Sequence, residues 1–181
     1  MRSIAVFDEQ NYEAHWPMFK RDSARAIIYV DKKLVMVKSE KFGEYKFPGG
    51  GIDDGETHVE TLIRETLEEA GLHILPATIR EYGSTLMRKK SIEGNKIFEQ
   101  VSFYYTCDID TERTSPQKLD EGYEMEYAYK LVYATLDEAI AANEKLLDMP
   151  EIPWVKRDLY VLSELRGEAR PEGSGSGLCP L

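Results

Sequence analysis

Residues 57–70 place the strongest constraint on the fold, because the sequence marks both ends of a helix there. Thr57 is a favourable N-cap, and Glu60 three positions later completes a capping box. Gly71 suits the position just after a helix, where the backbone takes a left-handed conformation. The three glycines at 49–51 allow backbone geometry that side chains forbid, so we expect them to interrupt regular structure. The segment therefore predicts a glycine-rich turn that leads into a helix.

The predicted helix has two different faces. Its apolar residues form a stripe that we expect to face the core. The residues of this stripe are Val59, Leu62, Ile63, Leu67 and Ala70. Glu65, Glu68 and Glu69 follow i, i+3 and i+4 spacing and therefore crowd one face. We expect this acidic face to lie apart from the stripe, so that the helix buries one side and presents carboxylates on the other.

Three carboxylates held together favour a cation among them, since like charges at these spacings repel. Their hard oxygen ligands suit Mg²⁺ or Mn²⁺ better than Zn²⁺. Arg64 lies four residues after Glu60 and four before Glu68, so it can pair with either and fix a carboxylate rotamer. A backbone carbonyl of the glycine turn can complete the metal's ligand shell. The alternative interpretation of such a cluster is an ordinary solvated acidic face.

The spacing of these residues resembles the Nudix box, G-x5-E-x7-R-E-U-x-E-E-x-G-U, in which U is aliphatic. The match runs from Gly50 to Leu72, and every position specified as glycine, glutamate or arginine agrees. Thr66 stands where the first aliphatic residue belongs. Its methyl group can still pack, and its hydroxyl can bond back to a helix carbonyl.

The resemblance implies a Nudix hydrolase, with an α/β/α sandwich fold built on a mixed β-sheet. It assigns Mg²⁺, with Mn²⁺ as a substitute, to four ligands: the side chains of Glu65, Glu68 and Glu69 and the carbonyl of Gly49. Glu56 and Arg64 would have structural and orienting roles. Water would attack phosphorus and cleave a phosphoanhydride bond, in a nucleoside diphosphate linked to another moiety or in a nucleoside triphosphate. Members of the family commonly form homodimers, so the resemblance also implies a homodimer.

The resemblance leaves the general base open. Glu65 is one candidate, and some family members take the base from a loop outside the box. Here the acidic segment 108–126, which we expect to be a loop, offers Glu121, Glu124 and Glu126, of which Glu124 and Glu126 are favoured because the segment precedes a predicted strand. The alternative for either residue is a solvated loop position.

Substrate contacts are predicted only by residue type. Phosphates favour arginine and lysine, nucleobases favour aromatic side chains, and glycine permits close approach of a phosphate. The substrate-binding candidates chosen on this basis are Arg25, Lys46, Tyr45, Gly50 and Gly51. Each is equally explained as an ordinary core or surface residue.

The segments around the box predict an α/β arrangement with a mixed sheet. The predicted strands are 4–7, 24–30, 34–37, 79–87, 96–107 and 130–134. We expect the second and third to form a hairpin and the fourth and fifth to pair. Thr135 and Glu138 predict a second capping box for a helix over 136–147, and a last helix is predicted over 154–165.

The composition excludes several classes of function. A net charge of −10 repels phosphate backbones, so we expect no stable nucleic-acid binding, although a metal ion can bridge carboxylates to a small phosphorylated substrate. No apolar run is long enough to span a membrane, and residues 1–10 do not resemble a secretory signal. The cysteines, Cys107 and Cys179, form no disulfide framework or zinc pattern. We therefore expect a cytoplasmic protein.

The chain divides into a predicted hydrolase domain, residues 1–166, and a flexible Gly/Ser-rich tail, residues 167–181. Its expected partner is a small nucleotide or diphosphate. A different kind of function is a non-catalytic Nudix-fold sensor of a nucleotide ligand. Such a sensor would be expected to lose box carboxylates, and this sequence keeps all of them.

Overall fold

The computed structural model describes residues 1–119 and 123–167. The strands are β1 (Ser3–Asp8), β2 (Met18–Lys20), β3 (Ser23–Ile27), β4 (Tyr29–Val30), β5 (Lys33–Ser39), β6 (Tyr45–Lys46), β7 (Gly49–Gly51), β8 (Leu72–Ile74), β9 (Arg80–Lys90), β10 (Ile97–Thr106), β11 (Ile109–Thr114) and β12 (Tyr129–Ala134). The helices are α1 (His58–Ala70), α2 (Tyr123–Tyr127), α3 (Leu136–Glu144) and α4 (Val155–Leu165). A 3-10 turn covers Pro76–Thr78.

The largest sheet is mixed, as predicted. Its strands follow the order β1-β9-β10-β3-β7, and β2 adds to the edge of β10. The pairs β1–β9 and β10–β3 are parallel, whereas β9–β10 and β3–β7 are antiparallel. The predicted pairing of the two long central strands is therefore confirmed. This arrangement places β7, and with it the glycine segment, at one edge of the sheet.

A second, antiparallel sheet contains β12, β5 and β4, with β6 also paired to β5. The predicted hairpin is confirmed between β4 and β5, where Asp31 and Lys32 have φ of 48° and 65°. Positive φ at both loop residues matches the twist of a tight hairpin. The predicted single strand over 24–30 is interrupted at Ile28, because β3 belongs to the mixed sheet and β4 to the second one.

Helices cover both sides of the sheets. On one side, Leu62 and Ala70 of α1 pack in a core with the apolar residues of β3. On the other side, Ile140 of α3 and Val161 of α4 pack in a second core with residues of β1 and β5. Full burial of a side chain such as Leu62 contributes roughly 1.5–3 kcal/mol. Two cores with helices outside them make the α/β/α sandwich that was expected.

Two predicted segments differ from the structure, and a third lies mostly outside the described residues. The segment 108–126 is not a continuous loop, since it contains β11 and α2; the polar residues of β11 fit because that strand pairs only with β8 and buries little beyond Ile109. The predicted helix 136–147 ends at Glu144 and continues as turns. Of the predicted tail, residues 168–181 lie outside the described part of the chain. Within that part no helix is long and apolar enough to cross a membrane.

Candidate active site

Helix α1 has the predicted ends. The Thr57 hydroxyl accepts a bond from the amide of Glu60, and the Glu60 carboxylate accepts one from the amide of Thr57 at 2.8 Å. This contact lowers the pKa of Glu60. Gly71 closes the helix with φ of 68°, and a β-carbon there would lie 2.0 Å from the carbonyl oxygen of Ser115. These contacts set the start and the end of the helix that carries the acidic residues.

The glycine segment forms a strand, so the prediction that it interrupts regular structure is wrong. It pairs with β3 through the partners Gly49–Arg25, Gly50–Ala24 and Gly51–Ser23. Gly49 has φ of 133°, and a β-carbon on it would lie 2.1 Å from the carbonyl oxygen of Ala24. The missing side chains thus let β7 approach β3 closely rather than preventing a strand.

The glycine at position 50 also makes room for the helix. A β-carbon on Gly50 would lie 2.3 Å from a carboxylate oxygen of Glu65. The absence of a side chain therefore creates a cradle in which this carboxylate reaches the backbone of β7. The position of this carboxylate depends on glycine here, because even a methyl group would overlap it and the end of the Glu65 side chain would have to move.

Arg64 links the acidic side chains of the site. Its Nε and Nη2 donate to both oxygens of Glu56, at 2.7 and 2.8 Å. Its Nη1 donates to Glu65 at 2.8 Å and to Glu68 at 3.1 Å. The Arg64 guanidinium lowers the pKa of Glu56 to about 2, with a smaller contribution from the Thr61 hydroxyl, and the pKa of Arg64 itself is raised. The guanidinium thus fixes the orientation of three carboxylates.

Glu69 is buried, contrary to the expectation that the carboxylates lie apart from the buried side of the helix. Only 2% of the residue is exposed. One carboxylate oxygen lies 2.6 Å from Nζ of Lys46, and the other accepts the amide of Gly49 at 2.8 Å. The carboxylate can be buried because an ammonium group neutralises it and a backbone amide satisfies its second oxygen.

The apolar stripe is correspondingly rotated from its predicted position. Leu62 and Ala70 are buried, but Val59 is 40% exposed, and Ile63 and Leu67 are half-buried. The buried face includes polar residues that the hydropathy pattern assigns to the surface.

Thr66 belongs to this buried face. Its methyl group can pack as expected, but its hydroxyl has no hydrogen-bond partner among the described residues. The expected bond from this hydroxyl back to a helix carbonyl is therefore wrong. The side chain replaces an aliphatic residue by packing alone.

Lys46 lies in a buried polar column that reaches beyond the box. Its Nζ is 4.4 Å from the centroid of the Tyr129 ring, and the Tyr129 hydroxyl donates to Glu44. Glu44 is fully buried, and its second carboxylate oxygen has no hydrogen-bond partner among the described residues. Sequence reasoning missed Glu44 and Tyr129. The available signal was the two-residue period of a strand, which places Glu44 on the same face as Lys46.

The structure brings four of the five substrate-binding candidates to the box. Lys46 contacts Glu69, Gly50 lies beside Glu65, and the carbonyl oxygen of Gly51 accepts a bond from Arg64 at 3.3 Å. Arg25 is nearly buried, and its guanidinium donates to the carbonyl oxygens of Phe47 and Gly49. Arg25 therefore holds the backbone at the start of the glycine strand through these two bonds.

Tyr45 is not brought to the box. Its backbone amide donates to the side chain of Asn143 in α3 at 2.9 Å, and its half-buried ring packs against the core on that side. It points away from Lys46 because adjacent residues of a strand face opposite sides.

The base candidates outside the box have different surroundings. The segment after β11 lies against the end of α1, where the amide of Lys118 donates to the carbonyl oxygen of Glu68 at 2.7 Å. Glu126 lies in α2, and its exposed carboxylate pairs with Lys41. Glu121 and the side chain of Glu124 are outside the described part of the chain. The chain thus returns past the box helix before it enters α2.

The donor set suits a hard divalent cation, since it consists of carboxylate and carbonyl oxygens beside the cradle at Gly50. Among the described residues, however, no three acidic, histidine or cysteine side chains form a ready-made metal site. Arg64 and Lys46 supply the positive charges that neutralise the glutamates in this arrangement. A metal ion would bind by taking over part of that neutralisation.

Comparison with known proteins identifies relatives of the chain. A family model described as the NUDIX domain matches residues 19–156. An RNA pyrophosphohydrolase from Shewanella baltica is 39% identical over 71 residues, which cover 34% of this chain and 41% of that protein. The corresponding enzyme from Helicobacter pylori is 37% identical over 84 residues, covering 41% and 54%. Nudix hydrolase 3 of Caenorhabditis elegans is 34% identical over 67 residues, covering 37% and 28%.

The matched regions thus span about half or less of the length of these relatives. Solved structures with the same fold include a NUDIX hydrolase from Nitrosomonas europaea, with a TM-score of 0.53 and 20% identity over 79% of this chain and 90% of that one. A mutator MutT protein from Bacillus halodurans has a TM-score of 0.50 and 20% identity over 77% and 82% of the respective chains. These similarities concern the fold.

Proposed function

Because the chain belongs to the NUDIX family, we propose that it is a metal-dependent hydrolase that cleaves a phosphoanhydride bond in a small nucleotide. The substrate class is a nucleoside diphosphate linked to another moiety, or a nucleoside triphosphate. The observation that supports this proposal is the contact of the Glu65 and Glu69 carboxylates with the backbone of β7, with Glu68 linked to Glu65 through Arg64. The names of the Shewanella and Helicobacter relatives support hydrolysis of a pyrophosphate bond.

The proposed metal ligands are Glu65, Glu68, Glu69 and the carbonyl of Gly49. When bound, Mg²⁺ would neutralise the substrate's phosphates and lower the pKa of the attacking water. Arg64 would hold the carboxylates of Glu65 and Glu68 in their present positions. The bond from Arg64 to Glu56 would keep the guanidinium itself in place. Arg25 would hold the Gly49 carbonyl in place through the bond that it donates to that oxygen.

A carboxylate would accept the proton of the attacking water. Glu65 is the candidate within the box, since its carboxylate lies at the Gly50 cradle. Glu126 and Glu124 remain candidates from the segment after β11. For Glu126 to act, its carboxylate would have to leave Lys41. A cytoplasmic location and a homodimer also remain predictions.

The deciding experiment measures release of phosphate-containing products from a panel of substrates, with Mg²⁺ and with EDTA. The panel contains nucleoside triphosphates, ADP-ribose, nucleotide sugars, dinucleoside polyphosphates and a 5′-triphosphate RNA oligomer. We expect metal-dependent cleavage of one small-nucleotide class and loss of most turnover in Glu68→Gln with the fold retained. Tight nucleotide binding without cleavage would instead support the ligand sensor.

A further inference from the structure

Lys46 pairs with one buried carboxylate and lies over an aromatic ring whose hydroxyl bonds a second one. Its side chain is 4% exposed, and its Nζ lies 2.6 Å from Glu69, which is a proposed metal ligand. Its Nζ also lies 4.4 Å from the centroid of the Tyr129 ring, and the hydroxyl of that ring donates to Glu44. Glu44 is fully buried, and one of its carboxylate oxygens has no hydrogen-bond partner among the described residues.

This arrangement creates a conflict at the proposed metal site. Both oxygens of Glu69 are already used, one by the Lys46 ammonium and the other by the amide of Gly49. A divalent cation that binds Glu69 must therefore compete with Lys46. An ammonium group that lost its counter-charge while buried would be strongly destabilised, so it needs another carboxylate nearby.

Resting on the proposed function, we propose that Lys46 is a positioning residue that moves from Glu69 to Glu44 when a divalent cation binds. Glu44 immediately precedes β6 and lies two residues before Lys46, the spacing at which side chains of an extended chain point to the same side. The open oxygen of Glu44 can accept a bond from the ammonium group, and the Tyr129 ring, which bonds Glu44 through its hydroxyl, offers that group a cation–π surface. Lys46 thereby holds Glu69 in the metal-free protein without leaving a buried charge unpaired in the metal-bound one.

The test measures binding of Mn²⁺ alone, by EPR of the free ion, to the full chain without nucleotide. We expect Lys46→Met to tighten Mn²⁺ binding about tenfold, which corresponds to roughly 1.4 kcal/mol, because the competing ammonium is gone. Glu44→Gln should weaken binding by about the same factor, because the ammonium loses its second partner. In the double variant, Glu44→Gln should have no further effect.

The double variant separates this exchange from a general change of charge. A purely long-range effect would make Glu44→Gln weaken Mn²⁺ binding equally in both backgrounds, and that result would overturn the proposal. The matched controls are Lys130→Met and Glu40→Gln, which make the same charge changes in an exposed ion pair. They should leave Mn²⁺ binding within about twofold of the wild type.

Crystal structures of the wild-type protein with and without Mn²⁺ provide a measurement that does not depend on the stability of any variant. We expect Nζ of Lys46 within hydrogen-bond distance of Glu44 in the Mn²⁺ form and of Glu69 in the other. An ammonium that stays on Glu69 while Mn²⁺ is bound would refute the exchange. Failure of the wild type to bind Mn²⁺ at all would refute both the exchange and the proposed metal site, whereas unchanged binding in Lys46→Met would refute the exchange alone.

Discussion

At the scale of single residues, small changes of side chain decide how the box is arranged. Gly50 matters because of the atom that it lacks, since the space of its β-carbon is filled by the Glu65 carboxylate. Arg64 matters because one planar group can hold Glu56 on one side and Glu65 with Glu68 on the other. These roles make specific predictions about substitution and about pH.

Gly50→Ala should reduce turnover about 100-fold, because the new methyl group would displace Glu65 by an ångström or more. Its β-carbon would start 2.3 Å from the carboxylate, so one of the two must move. Steady-state hydrolysis together with thermal melting checks this. Gly94→Ala is the control for strain without overlap, since its φ of 93° strains alanine but no atom lies within 4 Å of a β-carbon there. Full turnover in Gly50→Ala would show that Glu65 does not need its observed position.

Glu56 should contribute to the pH dependence of stability. Its folded-state pKa is about 2, against an ordinary value of 4.5, because Arg64 donates to its charged form. Because the carboxyl pKa is lower in the folded state, Glu56 stabilises that state at every pH above its ordinary pKa. The stabilisation is lost as the pH falls from 4.5 towards 2.

Urea unfolding of wild type and Glu56→Gln across this range checks that expectation. The stability difference between them should be largest near neutral pH and shrink as the solution is acidified. The exposed Glu93→Gln serves as a surface control. A difference that stays constant with pH would mean that the Glu56–Arg64 contact does not lower the carboxyl pKa.

At the scale of elements, the same local signal can be tested twice in one molecule. Helices α1 and α3 both begin with a threonine whose hydroxyl accepts the amide of a glutamate three residues later. Only α1 carries proposed metal ligands, and these lie well beyond its first turn. Loss of either cap should therefore affect stability without affecting the site.

Thr57→Ala and Thr135→Ala should each lower the free energy of unfolding by about 1 kcal/mol. Hydrolysis at 25 °C, well below melting, should be retained in both. Chemical denaturation and activity measured on the same samples check the pair. A selective loss of turnover in Thr57→Ala would show that fraying at the start of α1 reaches the acidic residues.

At the scale of the whole molecule, two cores and the sheets between them support the site. The mixed sheet supplies β7, and one helical layer supplies α1. The second sheet supplies Lys46 through β6 and Tyr129 through β12. The buried polar column thus joins residues that are far apart in the sequence, and it depends on the packing of both sheets.

Deletion of residues 169–181 should leave turnover and melting temperature nearly unchanged, because the Gly/Ser-rich composition offers little side chain for packing. Thermal melting and hydrolysis of the shortened chain check this. A large loss of either property would show that the tail contacts the domain.

The sequence by itself determined those features that depend on neighbours along the chain. Local contacts determine the ends of α1, the capping boxes and the hairpin at Asp31. The helical period determines the spacing of the box glutamates. The mixed α/β character followed from the order of the strands and helices. The resemblance to the Nudix box added the family and the sandwich, and both were confirmed.

Tertiary structure alone decided how charge is distributed in the site. The hydropathy pattern placed Glu69 on the surface and Val59 in the core, but Glu69 is buried and Val59 is exposed. Glu69 can be buried because Lys46, from the second sheet, neutralises its charge. The glycine segment became a strand because β3 provides partners for it. The two-residue period could place Glu44 on the face of Lys46, but it could not predict that the carboxylate is buried, since that burial depends on a hydroxyl that arrives from β12. Such contacts join distant segments, and neither residue type nor spacing along the chain encodes them.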